Sequence, residues 1–167
     1  MIKAAWTVLI LTVAVVSAPS AIWASEPDSQ GLEIGERAPA IRGSEWVSGS
    51  GLAPELKNKV VLVDFWYAAC PTCVHTMPEV DELASRYRKD GLIVVGPSLD
   101  SEATVRHFRE LHDVGYPFLA GALNLARSFN VKTFPFLVLI GRDGRVLWQA
   151  NFKDATLSAA IESALRR

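Results

Sequence analysis

The strongest constraint on this chain is the run Val60–Trp66 leading into Cys70-Pro71-Thr72-Cys73, which holds both cysteines of the 167 residues. Val60-Val61-Leu62-Val63-Asp64-Phe65-Trp66 is β-branched and aromatic with a single charge, and reads as a buried strand. Beyond it, Pro71 suits a first helical position, and Val74, Met77, Val80, Leu83, Ala84 and Tyr87 recur at steps of three and four up to about Arg88. Pro78 falls inside that helix and predicts a kink. Two thiols two residues apart at a helix start close a disulfide with little backbone movement. The helix N-terminus also stabilises a thiolate on the first sulfur and makes it the nucleophile.

The compartment decides what such a pair is for. After Lys3, the residues Ala4 to Ser25 carry no charge. The short apolar stretch Ala5–Val16, the break at Ser17-Ala18-Pro19-Ser20 and the small residue Ala24 suit a secretory signal cleaved after position 24. Ile22 at the −3 position and the overall length suit an uncleaved membrane anchor. In either case Lys3 stays inside and the folded part, residues 25–167, is delivered outside the cytoplasm as one domain. Two cysteines in an oxidising exterior normally form a structural disulfide. A staple this short removes little unfolded-state entropy, so the spacing favours a redox pair over an inert bridge or a metal site. A net charge of −1, with no run of Lys or Arg beyond two, argues against a nucleic-acid surface.

Residues 25–59 are rich in Gly and Pro and read as loop with short strand or turn pieces. Gly91 closes the first helix, and Leu92-Ile93-Val94-Val95 reads as a second buried strand. Asp100 or Ser101 caps a helix with Val105, Phe108 and Leu111 on one face. A turn at Gly115-Tyr116-Pro117 leads to a short helix at 123–129. The runs 136–140 and 146–150 flank Gly141-Arg142-Asp143-Gly144-Arg145 as a hairpin, and a last helix spans Asp154 to Arg166. This order predicts an α/β fold with a mixed central sheet and helices on both faces.

Val63-Asp64-Phe65-Trp66 followed by Cys70-Pro71-Thr72-Cys73 and Pro78 resembles a thioredoxin fold. Gly35-Glu36-Arg37-Ala38-Pro39, Leu56-Lys57-Asn58-Lys59-Val60, Val131-Lys132-Thr133-Phe134-Pro135 and Arg142-Asp143-Gly144-Arg145-Val146 extend the likeness to the exported TlpA/ResA/DsbE branch, over roughly residues 33–165. That resemblance implies a thioredoxin fold with an N-terminal extension and an exported thiol–disulfide oxidoreductase. It implies Cys70 as attacking sulfur, Cys73 as resolving sulfur, Asp64 as the buried acid that moves a proton, and Pro135 as a cis-proline that presents substrate. Phe134, Pro71, Thr72 and Trp66 become candidate substrate contacts. The implied substrates are protein disulfides, as in cytochrome c maturation, with a membrane electron donor as second partner. No cofactor is expected beyond the Cys70–Cys73 disulfide.

Two positions depart from the pattern. Thioredoxins place a lysine near the buried acid where this chain has Gly96, so burial should raise the Asp64 pKa further. Ala69 stands where a tryptophan usually precedes the first cysteine. Two other chemistries stay open at this level: a copper-binding assembly factor using Cys70, Cys73 and His75, and a disulfide donor or isomerase. His107 and His112 read as solvated helix residues, Trp148 as hairpin core, and Trp46 has no assigned role.

Overall fold

The computed structural model describes residues 30–47, 55–152 and 155–167. The expected signal or anchor, residues 1–24, lies outside them, as does Asp154, the expected start of the last helix. Ten elements follow in order: β1 (Glu45–Val47), β2 (Val60–Phe65), α1 (Pro71–Tyr87), β3 (Leu92–Pro97), α2 (Glu102–Leu111), β4 (Phe118–Ala120), α3 (Leu123–Ser128), β5 (Phe136–Ile140), β6 (Val146–Asn151) and α4 (Leu157–Leu165).

The strands form one six-stranded sheet in the order β1-β4-β3-β2-β5-β6. β2 lies at its centre, parallel to β3 and antiparallel to β5, while β1 and β6 are antiparallel edges. All six residues of β2 are buried, as an unbroken apolar run between two covered faces requires. Strand alternation divides them. Val60, Leu62 and Trp66 pack with residues of α1, α2 and α4, whereas Val61, Val63 and Phe65 pack with α3 and the extension at Leu32, Ala38 and Ile41.

Both long runs and the hairpin lie where the sequence puts them. In the hairpin turn Gly141 N donates to the Arg145 carbonyl at 2.8 Å, and Gly144 takes a φ of 77° that suits glycine. α1 continues through Pro78 as one helix. Differences arise in short or terminal pieces. β4 occupies three residues after Pro117, too few for a period of two to register, and it pairs with β1, which holds Trp46 opposite Leu119. Leu111, expected on the apolar face of α2, is 67% exposed at the helix end, so Val105 and Phe108 alone anchor that helix. His112 is more than a solvated residue: its ring stacks on Phe108 at 4.1 Å.

Phe129 is the main apolar plug on the α3 face, fully buried against Phe65 with ring centres 5.2 Å apart. Phe129→Ala is expected to cost about 3–5 kcal/mol through lost transfer energy and the cavity left behind, measured by urea denaturation.

Candidate functional site

The end of β2 delivers the chain to the site under tight backbone control. Trp66 N donates to the Pro97 carbonyl at 3.1 Å, and Leu99 N donates to the Trp66 carbonyl at 3.2 Å. Ala68 N then donates to Asp100 Oδ2 at 2.6 Å, and the same oxygen accepts from Ser98 Oγ at 2.9 Å. Asp100 therefore does not cap α2. That task falls to Ser101, whose hydroxyl accepts from Thr104 N at 3.3 Å. Freed from capping, the Asp100 carboxylate ties the loop before the cysteines to the loop after β3.

Cys70 is the N-cap of α1. Its backbone is extended (φ −95°, ψ 102°), Pro71 follows at the helix start, and its sulfur accepts from Cys73 N at 3.1 Å. This geometry brings one N–H of the first turn, that of Cys73, to the first sulfur, and Pro71 has none to add. Cys70 and Cys73 are joined as a disulfide. Cys73 is 1% exposed and Cys70 4%, whereas Pro71 and Thr72 are exposed beside them. Thr76 Oγ1 donates back to the Thr72 and Cys73 carbonyls at 3.0 Å each, fixing the first turn.

The Phe134–Pro135 peptide bond is cis. β5 pairs Phe136 with Phe65 and Leu137 with Asp64, so Pro135 stands opposite Trp66, at the sheet end that bears the cysteines. Phe134 is half-buried and meets the Tyr67 ring edge-on at 5.5 Å, joining the two loops. Trp66 is placed differently from the other candidate substrate contacts. It is fully buried, its ring tilted against those of Phe108 and Phe118 at 4.6 Å each, with its indole N–H donating to the Gly96 carbonyl at 3.0 Å. With no exposed surface it supports the site from beneath.

Asp64 shares the α1 side of β2 with Leu62 and Trp66, and is 3% exposed. Its one described side-chain hydrogen bond comes from the Tyr116 hydroxyl, at 2.8 Å to Oδ2. Burial raises its pKa from 3.8 to about 6, and the Tyr116 bond opposes part of that rise. No sequence signal pointed to Tyr116, since the contact joins residues 52 apart. His75 is exposed on α1, and among the described residues no group of three or more His, Cys, Asp and Glu is gathered as metal ligands. Clefts of about 360 Å³ beside Arg37, Lys57 and Arg142 and of about 520 Å³ beside Glu82, Arg86 and Phe152 do not include the cysteines.

The raised pKa makes stability depend on pH. Well below pH 3.8 the carboxyl is protonated in both the folded and unfolded chains and costs nothing. Between there and pH 6 the unfolded chain releases its proton first, so stability falls by up to about 3 kcal/mol and then levels. Asp64→Asn should remove this fall, gaining stability relative to the parent between pH 4 and pH 8 by up to that amount in urea titrations of the oxidised protein. Asp100→Ala leaves Ala68 N and Ser98 Oγ without their acceptor, and should cost on the order of 2 kcal/mol in the same assay.

Comparison with known proteins agrees with this geometry. Residues 35–164 match the Redoxin family model. The thiol-disulfide oxidoreductase ResA of Bacillus cereus is 26% identical over 122 residues, 72% of this chain and 70% of that one. The thioredoxin-like protein YneN of Bacillus subtilis is 27% identical over 118 residues, 68% of this chain and 69% of that one. Among solved structures, a Chlorobium tepidum protein assigned as thiol:disulfide interchange protein DsbE superposes with a TM-score of 0.69 at 26% identity, covering 80% of this chain and 99% of that one. Matched over most of its length and carrying the Cys70–Cys73 pair at a helix N-terminus, this chain belongs to the redoxin family and is a thiol–disulfide oxidoreductase of thioredoxin-like fold.

Proposed function

We propose that this protein is an extracytoplasmic reductant of particular protein disulfides, and that cytochrome c maturation, where haem attachment needs reduced thiols, is its task. The observation that carries the direction of electron flow is the weak support given to a Cys70 thiolate. The described hydrogen bond to its sulfur is the single backbone one from Cys73 N, and the buried ionisable side chain on the α1 side of β2 is a carboxylate, Asp64. A cysteine pair is strongly oxidising in its disulfide form when its reduced form is strongly stabilised. One backbone donor and a buried acid on the same side of the sheet stabilise the thiolate little, which favours giving electrons away.

In the proposed cycle the Cys70 thiolate attacks one sulfur of a substrate disulfide, and the other substrate sulfur leaves as a thiolate. Asp64 takes the proton from the Cys73 thiol. The Cys73 thiolate attacks Cys70, the Cys70–Cys73 disulfide closes, and the second substrate sulfur is released to take up a proton. Two electrons have passed to the substrate, and a membrane electron donor restores the dithiol. The exposed Pro71 and Thr72, with Phe134 and the Pro135 loop, form the surface a substrate peptide meets; backbone left free beside a cis-proline suits an extended segment. The uncharged segment 4–25 supports an extracytoplasmic location, as a cleaved signal or a tether. Among the described residues no helix is long and apolar enough to cross a membrane.

The reduction potential of the Cys70–Cys73 pair tests the direction. A value near the thioredoxin level of about −270 mV is expected, and one near −120 mV would identify an oxidant instead. Cys73→Ser should leave mixed disulfides on Cys70 unresolved. A captured protein with a haem-binding cysteine pair is the expected product, and capture of none would overturn the assigned task.

A further inference from the structure

Gly96 is where the buried acid lacks its expected cationic neighbour, and the structure shows what occupies that space. β2 and β3 pair in parallel with Val63 beside Val95, and the same register recurs at Trp66 beside Ser98, so Gly96 lies beside Asp64. A Cβ on Gly96 would meet Phe118 Cδ1 at 2.6 Å and Tyr116 Cε2 at 3.0 Å. No side chain fits there while the two rings are in place. The Tyr116 ring reaches the carboxylate because residue 96 has none.

Tyr116 is also held from several sides. Gly115 N, just before it, donates to Asp81 Oδ1 on α1 at 2.9 Å. Its own carbonyl accepts from Arg109 Nη1 on α2 at 3.2 Å, and its ring meets Phe118 edge-on at 5.4 Å. Burial and the charges of Asp64 and Asp81 raise its pKa well above 10, so the hydroxyl remains a neutral donor over the working pH range. The neighbours of Asp64 on other elements are few in charge. β3 places Gly96 and β5 places Leu137 beside it, Tyr116 donates to it, and Asp81 acts on Tyr116.

We propose that Tyr116 is a positioning residue for the proton relay: lodged in the space left by Gly96, its hydroxyl holds the Asp64 carboxylate in place of a cation and sets how readily Asp64 accepts the Cys73 proton. The inference rests on the relay role proposed above for Asp64. A neutral donor differs from a lysine in kind. It stabilises the carboxylate by one hydrogen bond and brings no charge that would favour a thiolate on either cysteine.

Tyr116→Phe keeps the ring and its packing and removes only the donor. In the oxidised full chain, the carboxyl carbon of Asp64 followed by NMR should titrate about one pH unit higher in the variant, the size expected for one hydrogen bond to a charged acceptor. In the reduced chain, an aryl disulfide reagent forms a mixed disulfide on Cys70, and Cys73 then releases the second aryl thiolate. The acid limb of that second step should move up by the same amount. Asp64→Asn should abolish the limb, and adding Tyr116→Phe should move nothing further. An unmoved titration, or a moved titration with an unmoved limb, overturns the proposal. The aryl reagent is not a protein disulfide, so this result is separate from the choice of natural substrate. Failure to reduce proteins alongside a moved titration and limb would sink the proposed task and leave the Tyr116 role standing.

Discussion

The backbone ladder of β2 fixes most of what lies at the site. Hydrogen bonded in parallel to β3 and antiparallel to β5, and covered on both faces, this strand cannot slip by one residue without turning Leu62, Asp64 and Trp66 to the opposite side. Its register puts Asp64 beneath α1, sets Gly96 beside it and aligns Pro135 with Trp66. Where the ladder ends, Asp100 takes over by holding Ala68 N, so that Cys70 reaches the helix start with its sulfur at the N-cap. Catalytic geometry is thus inherited from a sheet rather than built by flexible loops.

Within that frame the chain tolerates one costly group. A carboxyl at the centre of an apolar layer resists ionisation, and a pKa near 6 keeps it poised to exchange a proton around neutral pH. Stability is surrendered for this, because the same carboxyl unsettles the fold as pH rises. A structural residue would avoid that cost with a leucine. On the proposed relay reading, that cost is what lets Asp64 accept a proton from Cys73 near neutral pH.

Long periodic or apolar segments were legible in the sequence because their pattern repeats: β2, α1, β3, β5 and the hairpin are all set by local periodicity and by Gly and Pro. Short pieces were not. β4 has three residues, and its pairing with β1 spans more than seventy positions, so no local pattern marks it. Among site residues, Cys70 and Cys73 announce themselves by spacing, and Asp64 by being a charge in an apolar strand. Of the two candidate caps, Ser101 caps α2 and Asp100 clamps the loop before the cysteines. Trp66 reads as a candidate substrate contact but faces inward, because strand alternation after Leu62 and Asp64 carries it under α2 and β4.

The sequence by itself determined which groups are on hand: two sulfurs at a helix start, an acid six residues before the first of them, and a proline ahead of a later strand. These follow from residue type and spacing, which act over one turn or one strand. Tertiary structure alone decided how the acid is tuned. The absence of a side chain at Gly96 says nothing until β3 is laid beside β2. Tyr116 reads as a turn residue until the approach to β4 brings its hydroxyl to within 2.8 Å of Asp64. A proton affinity is set by whatever surrounds a group in three dimensions, and in this chain those surroundings come from segments 32 and 52 residues away.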